Sequence, residues 1–158
     1  MKKVLEFFRF FLVSFELMII LLGICAQMLF HNQVQDIAWY VKFQDDLFKF
    51  IIAIPSALCV WSFVSGRKLL FPDKDKASIL QSWPEYWRLK TGFHAALTWN
   101  IIFVAVSVVA WTGDWKHPSA SLLIWLVVAL AGSGLSTLSL YNAQNYVEEE
   151  TSQFKGQR

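Results

Sequence analysis

Charged residues are scarce in this sequence: they make up 16% of its 158 residues, against about 25% in a typical soluble domain. Hydrophobic residues account for 56% of the chain, and the mean hydropathy is +0.43. The formal net charge of +2 is too small to indicate nucleic-acid binding, and the basic residues are grouped rather than spread along one stripe. The composition therefore predicts a membrane protein with no nucleic-acid partner.

Residues that carry chemistry are also rare. Cys25 and Cys59 are the two cysteines, which excludes a disulfide-rich scaffold and a four-cysteine zinc site. The histidines His31, His94 and His117 fall at depths that do not suit a pair of haem ligands. The sequence has no glycine-rich phosphate loop, no HExxH motif and no nucleophile–base arrangement. We therefore expect no metal, no cofactor and no enzymatic activity.

Long apolar segments account for most of the chain. A transmembrane helix needs about 20 mostly apolar residues, and four segments approach or reach this length, at about 10–30, 47–66, 93–111 and 120–141. We expect the first segment to remain as a span and not to be cleaved as a signal peptide, because it is long and contains Glu16. The pattern predicts an all-α membrane protein: one integral membrane domain over residues 1–158, with four transmembrane helices in an antiparallel bundle.

Several residues mark where these helices should begin and end. Asp45 and Ser119 precede the second and fourth spans and suit N-caps. Gly66 and Gly113 follow the second and third spans and suit helix ends. Pro55 lies within the second span, where neighbouring helices must satisfy the carbonyl that a proline leaves free.

Lysine and arginine are unevenly distributed between the two sides of the predicted bundle. The N-terminal segment, the loop 67–92 and the C-terminal segment carry eleven of them, and the opposite side carries three, Lys42, Lys49 and Lys116. Because basic residues concentrate on the cytoplasmic side, both termini and the loop 67–92 are predicted to be cytoplasmic. This distribution suits a bacterial inner membrane.

Glu16 is the most informative polar residue. An acid at this depth costs about 2.5–3.5 kcal/mol to insert, so it needs a proton or a hydrogen-bonding partner. Counting residues along the spans places Asn100, Ser133 and Ser136 at a similar depth, which predicts an intramembrane polar cluster. The cluster can be a clasp within the chain, a contact to another subunit, or a carrier of protons or cations.

The fourth span also has a face of small residues, which allows the backbones of two helices to approach closely. This predicted helix-packing face consists of Ala129, Gly132, Ser133, Ser136 and Ser139. Its partner can lie in the same chain or in another protein. The face predicts close helix packing in either case.

Aromatic residues cluster near the predicted ends of the spans. The expected interfacial anchors are Trp83, Tyr86, Trp87, Trp111 and Trp115. A capping box at residues 82–85 predicts a helix that begins there. A short interfacial helix on the outer side is predicted by the spacing of Val34, Ile37, Ala38 and Val41. Both segments are interpreted as anchors in the lipid bilayer, with a docking surface as the alternative.

These features favour a non-enzymatic function. The first hypothesis is a small membrane protein that acts through helix–helix contact with another membrane protein or with itself, as an accessory or assembly subunit or an immunity-type protein. The alternative is a small oligomeric transporter or channel in which Glu16 couples to protons or ions. A third hypothesis, a redox or quinone-binding subunit, would require a bound cofactor.

Overall fold

Every regular element in the described part of the chain is a helix. The computed structural model describes residues 14–40, 45–70, 86–113 and 118–156. The five helices in these ranges are α1 (Phe15–Leu29), α2 (His31–Tyr40), α3 (Asp45–Leu70), α4 (Tyr86–Trp111) and α5 (Ala120–Gly156). The all-helical fold class is confirmed over these residues.

Three of the helices are long and apolar enough to cross a membrane, over Phe50–Arg67, Tyr86–Trp111 and Ala120–Glu149. The pair α1 and α2 supplies a fourth candidate only if both helices belong to one span, because they are bent by 81° at the break between them. With 15 residues, α1 is about 22 Å long, whereas the hydrocarbon core of a bilayer is about 30 Å thick. The described part of the chain thus has three continuous candidate spans and one broken candidate.

The helix described within the first predicted span begins at Phe15. Ser14 has an extended backbone, with φ of −94° and ψ of 150°, and its hydroxyl accepts a hydrogen bond from the Leu17 N–H at 3.3 Å. This is N-cap geometry, which starts a helix at the next residue. The helix therefore begins at Phe15, and the prediction of one continuous helix over 10–30 is wrong at Ser14. Residues 10–13 lie outside the described residues.

The central helix of the fold is α5, which packs against each of the other four helices. Its contacts with α1 run from the Glu16–Ser136 hydrogen bond to the Gln27–Ser121 hydrogen bond. The residue numbers rise along one helix as they fall along the other, so α1 and α5 are antiparallel.

Contacts between α3 and α4 also run in opposite directions. Asn100 of α4 pairs with Ser62 of α3, and further along α4 the Ser107 hydroxyl donates to the Ile52 carbonyl at 2.6 Å. Pro55 has no N–H, so the carbonyl four residues before it loses its helical hydrogen bond. Ile52 directly follows that position, so α4 bonds to the backbone of α3 beside this proline.

The ends of the helices differ from the sequence prediction in three places. Gly66 does not end α3, which continues to Leu70; the glycine instead lies against the Phe93 ring, where a Cβ atom would clash. The loop predicted over 67–92 is shorter, because α4 already begins at Tyr86. The last helix does not stop at Tyr141 and extends to Gly156. The N-cap at Ser119 is confirmed, since its hydroxyl accepts from the N–H two residues into α5.

The main apolar core lies between α1, α4 and α5. Trp99 and Phe103 of α4 are buried with Ile124 and Val128 of α5, and Leu17 of α1 packs against them. Lipid tails are as apolar as these side chains, so close packing, and not removal from water, stabilises this contact in a membrane.

The short helix α2 lies across the start of α5. Ala38 is buried and Val34 is partly buried, whereas Ile37 is exposed. The predicted outer helix is present, but its described apolar residues are divided between the protein core and the surface. Val41 lies outside the described residues.

Candidate functional site

Glu16 lies in the first turn of α1 and is 6% exposed. The Ser136 hydroxyl of α5 donates to its Oε1 atom at 3.0 Å. The first turn of a helix has unpaired N–H groups and the positive end of the helix dipole, both of which stabilise negative charge. The structure therefore gives this acid two sources of stabilisation, one from its own helix and one from α5.

A second set of hydrogen bonds joins α3, α4 and α5. The Thr137 hydroxyl donates to the Ser133 carbonyl at 2.7 Å, so it can accept from the Ser62 hydroxyl, which lies 3.2 Å away. Ser62 in turn accepts a long bond of 3.5 Å from the Asn100 Nδ2 atom. The bonds form one directed chain through buried side chains of three helices, and such chains strengthen one another.

The predicted polar cluster is therefore divided into two adjacent sets. Glu16 pairs with Ser136, whereas Asn100 belongs to the chain that reaches Thr137, the next residue of α5. The Ser133 hydroxyl donates to the Leu130 carbonyl of its own helix at 3.1 Å. Among the described residues, no hydrogen bond joins Glu16 to Asn100 or to Ser133.

Sequence reasoning missed two members of this polar layer, Ser62 and Thr137. Both could have been found in the sequence. Ser62 lies a little more than one turn before Arg67, the first basic residue after the second span, and Thr137 directly follows Ser136. The same residue counting that placed Asn100 near Glu16 in depth applies to Ser62. Including small hydroxyl side chains of the second span would have found it.

Asn100 has unused hydrogen-bonding capacity. Its side chain is 0% exposed, and its Oδ1 atom accepts no hydrogen bond from the described residues. A buried acceptor without a donor costs about 1–3 kcal/mol. This oxygen is chemically suited to accept from a hydroxyl, a water or a protonated carboxyl group.

The small-residue face of α5 packs largely within this chain. Ala129, Ser133 and Ser136 are fully buried. Gly132 lies against the Phe103 ring of α4, where a Cβ atom would clash. Ser139, by contrast, is exposed. The close approach that this face predicts is thus used between α5 and its own neighbours, except at Ser139.

An apolar groove of about 190 Å³ opens between α4 and α5 beside Ser139. We call it the α4–α5 groove. It is lined by Leu89, Gly92, Phe93 and Ala96 of α4 and by Ser139, Leu140 and Ala143 of α5. A Cβ atom on Gly92 would meet no atom within 4 Å, so the groove is open at this residue.

The aromatic anchors that fall in the described residues lie at the two ends of α4. Tyr86 and Trp87 are in its first turn, and Trp111 is its last residue. These ends are about 38 Å apart along the helix axis, which suits two interfaces on either side of a core of about 30 Å. Trp83 and Trp115 lie outside the described residues.

Polar side chains also fix the break between α1 and α2 to the start of α5. Gln27 Nε2 donates to the Ser121 hydroxyl at 2.7 Å and lies 3.0 Å from His31 Nδ1. Gln35 Oε1 accepts from the Ala120 N–H at 2.8 Å. The Gln35 side chain of α2 thus accepts from a backbone N–H that has no partner within its own helix, because it lies at the start of α5.

Within the described ranges, no group of three His, Cys, Asp or Glu side chains lies close enough to hold a metal ion. Cys25 and Cys59 are free thiols on separate helices. The sequence matches no known protein family, and neither curated proteins nor solved structures give a significant match to the chain.

Proposed function

We propose that this chain acts without catalysis, through helix–helix contact with another membrane component. The roles that suit such a protein are an accessory or assembly subunit and an immunity-type protein. Its polar side chains in the middle of the helices bond mostly to one another, and its small-residue face is largely used internally. The surface left for a partner is therefore apolar.

The observation that carries this proposal is a line of exposed side chains on α1. Met18, Leu21, Cys25 and Met28 follow at steps of three, four and three residues, and all four are exposed. This is the spacing of the seam along which two helices pack knobs into holes. We call these four residues the α1 seam. Methionine adapts its shape to an apolar partner, which suits a contact surface.

The seam lies on the side of α1 that faces away from α5. Glu16, Gly23 and Gln27 face α5, where they contact Ser136, Val128 and Ser121. At about 100° per residue, the seam residues lie on the opposite side of the helix. A partner helix can therefore bind along α1 without displacing any contact to α5.

We further propose that the chain forms a four-span bundle in a bacterial inner membrane, with both termini and the loop between α3 and α4 in the cytoplasm. The unequal numbers of basic residues on the two sides support this orientation. The antiparallel contacts of α1 with α5 and of α3 with α4 are consistent with it.

Photo-crosslinking in native membranes tests the partner contact. A benzophenone amino acid is placed at Leu21 or Met28 of the seam, or at the control positions Val109 of α4 and Val127 of α5, which are 70% and 63% exposed. We expect one protein adduct of defined mass from the seam and none from the controls. A mass of two copies identifies self-association, and another mass identifies a different partner. Lipid adducts alone at all four positions would contradict the proposal.

A small proton- or ion-coupled transporter is the second candidate. It is favoured by the position of Glu16 in the first turn of α1, which Ser14 caps, beside α5 residues of a candidate span. Helix N-termini that face a central polar site are typical of transporters. The unused Oδ1 atom of Asn100 adds an acceptor in the same layer.

Proton flux into vesicles distinguishes the two candidates. Glu16→Gln keeps an acceptor for Ser136 but cannot exchange a proton, whereas Ser136→Ala removes the hydrogen bond and keeps the acid. A transporter loses flux with Glu16→Gln and retains part of it with Ser136→Ala. Absence of flux in the wild-type protein, or equal flux in wild type and Glu16→Gln, would exclude proton coupling through Glu16.

A further inference from the structure

We infer that Gln27, His31 and Ser121 form a pH-sensitive switch at the break between α1 and α2, which we call the Gln27 switch. When His31 gains a proton, the side-chain amide of Gln27 makes half a turn and reverses its hydrogen bond to Ser121 of α5. The contacts on which the switch depends are the two hydrogen bonds of the Gln27 amide. The switch does not depend on the partner proposed for the α1 seam, because Gln27 faces α5.

The Gln27 amide donates two hydrogen bonds while His31 is neutral. Its Nε2 atom donates to the Ser121 hydroxyl at 2.7 Å and lies 3.0 Å from His31 Nδ1. An amide nitrogen only donates, so His31 Nδ1 accepts in this arrangement and carries no hydrogen. The single hydrogen of the neutral ring is then on the other nitrogen. The contact with Gln27 therefore selects one tautomer of His31 and requires an unprotonated Nδ1 atom.

The carbonyl oxygen of the same amide has no use in this arrangement. The Gln27 Oε1 atom is buried and accepts no hydrogen bond from the described residues. The oxygen and the nitrogen of a side-chain amide have nearly the same size, so they exchange positions when the amide makes half a turn. That turn places Oε1 opposite both His31 and Ser121. The amide can therefore meet either acceptors or donors at these two positions.

A proton on His31 favours the turned amide. The charged ring carries a hydrogen on both nitrogens, so the Nδ1–H and Nε2–H groups that now form one bond would oppose each other across 3.0 Å. After the turn, Gln27 Oε1 accepts from the charged ring, and such a bond is stronger than one between neutral groups. This gain offsets the move of Nε2 into the position that lacks a described partner. The Ser121 hydroxyl then donates to Gln27, so a proton bound on α2 changes a hydrogen bond on α5.

The geometry of the break keeps His31 beside Gln27. The axes of α1 and α2 differ by 81°, yet backbone hydrogen bonds continue across the bend, from the Phe30 N–H to the Ala26 carbonyl and from the Val34 N–H to the Phe30 carbonyl, both at 2.9 Å. His31 is half-buried, so its ring can exchange a proton with solvent. Imidazole is the side chain whose charge ordinarily changes between about pH 5 and pH 8.

The described charged groups on the helices around His31 are distant or point elsewhere. On α1, Glu16 lies eleven residues before the switch, about 16 Å along the helix axis. On α5, the first charged residue is Glu148, beyond the apolar part of the helix. Asp36 of α2 is exposed and lies about 140° around the helix from His31. The charged and titratable residues that precede α5 lie outside the described residues and are tested by the variants below: Asp114, Lys116 and His117.

Nuclear magnetic resonance of the full chain in detergent micelles tests the Gln27 switch. The direct readout is the scalar coupling across the hydrogen bond between Gln27 Nε2 and His31 Nδ1. We expect this coupling at about pH 8 and its loss at about pH 5, with the Gln27 amide signals and the His31 ring signals sharing one midpoint. Persistence of the coupling at about pH 5, or its absence at about pH 8, would overturn the inference.

Histidine variants identify the proton that the amide senses. His31→Gln is expected to abolish the pH response of the Gln27 amide signals. His94→Gln is the matched control, because His94 Nδ1 bonds to the Lys90 carbonyl of its own helix, and it should leave the response unchanged. The variants of the segment before α5 should also leave it unchanged: Asp114→Asn, Lys116→Gln and His117→Gln. A response that survives in His31→Gln, or that any control abolishes, would overturn the assignment to His31.

The reversal at Ser121 has a separate test. Backbone amide signals in the first turn of α5 are expected to shift with the His31 midpoint in the wild type, to lose this shift in Ser121→Ala and to recover it in Ser121→Thr, which keeps the hydroxyl. Gln35 is the internal control, because its Oε1 atom accepts from the Ala120 N–H at 2.8 Å, a donor that does not titrate. An equal pH response of the Gln27 and Gln35 side-chain amides would indicate a general change at the start of α5 and overturn the switch.

Discussion

Among the described residues, the side chain of Glu16 forms a hydrogen bond to one other helix, α5. The Ser136 hydroxyl satisfies one carboxyl oxygen at 3.0 Å. Hydrogen bonds between membrane helices contribute about 0.6 kcal/mol on average and up to about 1.7 kcal/mol. At the scale of single residues, this bond is a modest clasp and not the main source of stability.

A double-mutant cycle measures that clasp. Glu16→Leu and Ser136→Ala, alone and combined, are expected to show a coupling of about 0.6–1.7 kcal/mol in the free energy of unfolding, measured by denaturation in mixed micelles. Ser133→Ala is the matched control, because the Ser133 hydroxyl donates to its own helix. An equal coupling between Glu16 and Ser133 would contradict the assignment.

Gly132 and Gly134 provide a second test at this scale. Gly132→Ala places a methyl group against the Phe103 ring and is expected to destabilise the protein by about 1–3 kcal/mol. Gly134→Ala meets no atom within 4 Å and should be neutral or stabilising by up to about 1 kcal/mol, because alanine favours a helix. Thermal unfolding of both variants checks the difference, and equal destabilisation would show that the contact with Phe103 is unimportant.

The depth of the polar residues was predictable from the sequence, but their partners were not. Residue counting along a span gives the level of a side chain in the membrane, and it placed Glu16 and Ser136 together. It does not give the direction in which a side chain points around the helix. Ser136 and Thr137 are about 100° apart on α5, so one reaches α1 and the other reaches α3.

At the scale of elements, the contact of α2 with α5 acts as a cap supplied from another helix. Gln35 Oε1 accepts from the Ala120 N–H at 2.8 Å, in the first turn of α5. A lost cap costs about 1 kcal/mol. Gln35→Leu is therefore expected to speed hydrogen exchange of the Ala120 amide roughly fivefold, as measured by mass spectrometry.

The matched control for this cap is Gln33→Leu, two residues earlier on the same helix. Gln33 is exposed, so its replacement changes the polarity of α2 to the same extent without removing the bond to Ala120. Faster exchange in both variants would show that the polarity of α2, and not the cap, protects the start of α5.

Hydropathy located α3, α4 and α5 but not the ends of the helices. A window of apolar residues detects only the most apolar part of a helix. The helix α4 begins before that part, at Tyr86, and α5 continues after it, to Gly156. The start of α1 was missed for another reason. Ser14 is a single small polar residue within an apolar segment, so it barely changes the hydropathy. Its role as an N-cap depends on its extended backbone angles, which the sequence pattern does not indicate.

At the scale of the whole molecule, the proposed orientation predicts the behaviour of reporter fusions. Alkaline phosphatase fused after residue 44 or residue 115 should be active, because both loops face the outside in that orientation. A fluorescent protein fused to the C-terminus should fluoresce, because it stays in the cytoplasm. Phosphatase activity at the C-terminus together with none at residue 115 would invert the topology.

The position of α5 at the centre of the fold has a consequence for biosynthesis. Glu16 and Ser136 are separated by 120 residues, so at about 5–20 residues per second the acid emerges about 6–24 s before its partner exists. During that interval α1, α3 and α4 emerge one after another without α5, against which all three pack in the finished fold. Assembly in the bilayer is therefore completed by the last described helix, and the earlier helices must be held near the site of insertion until it arrives.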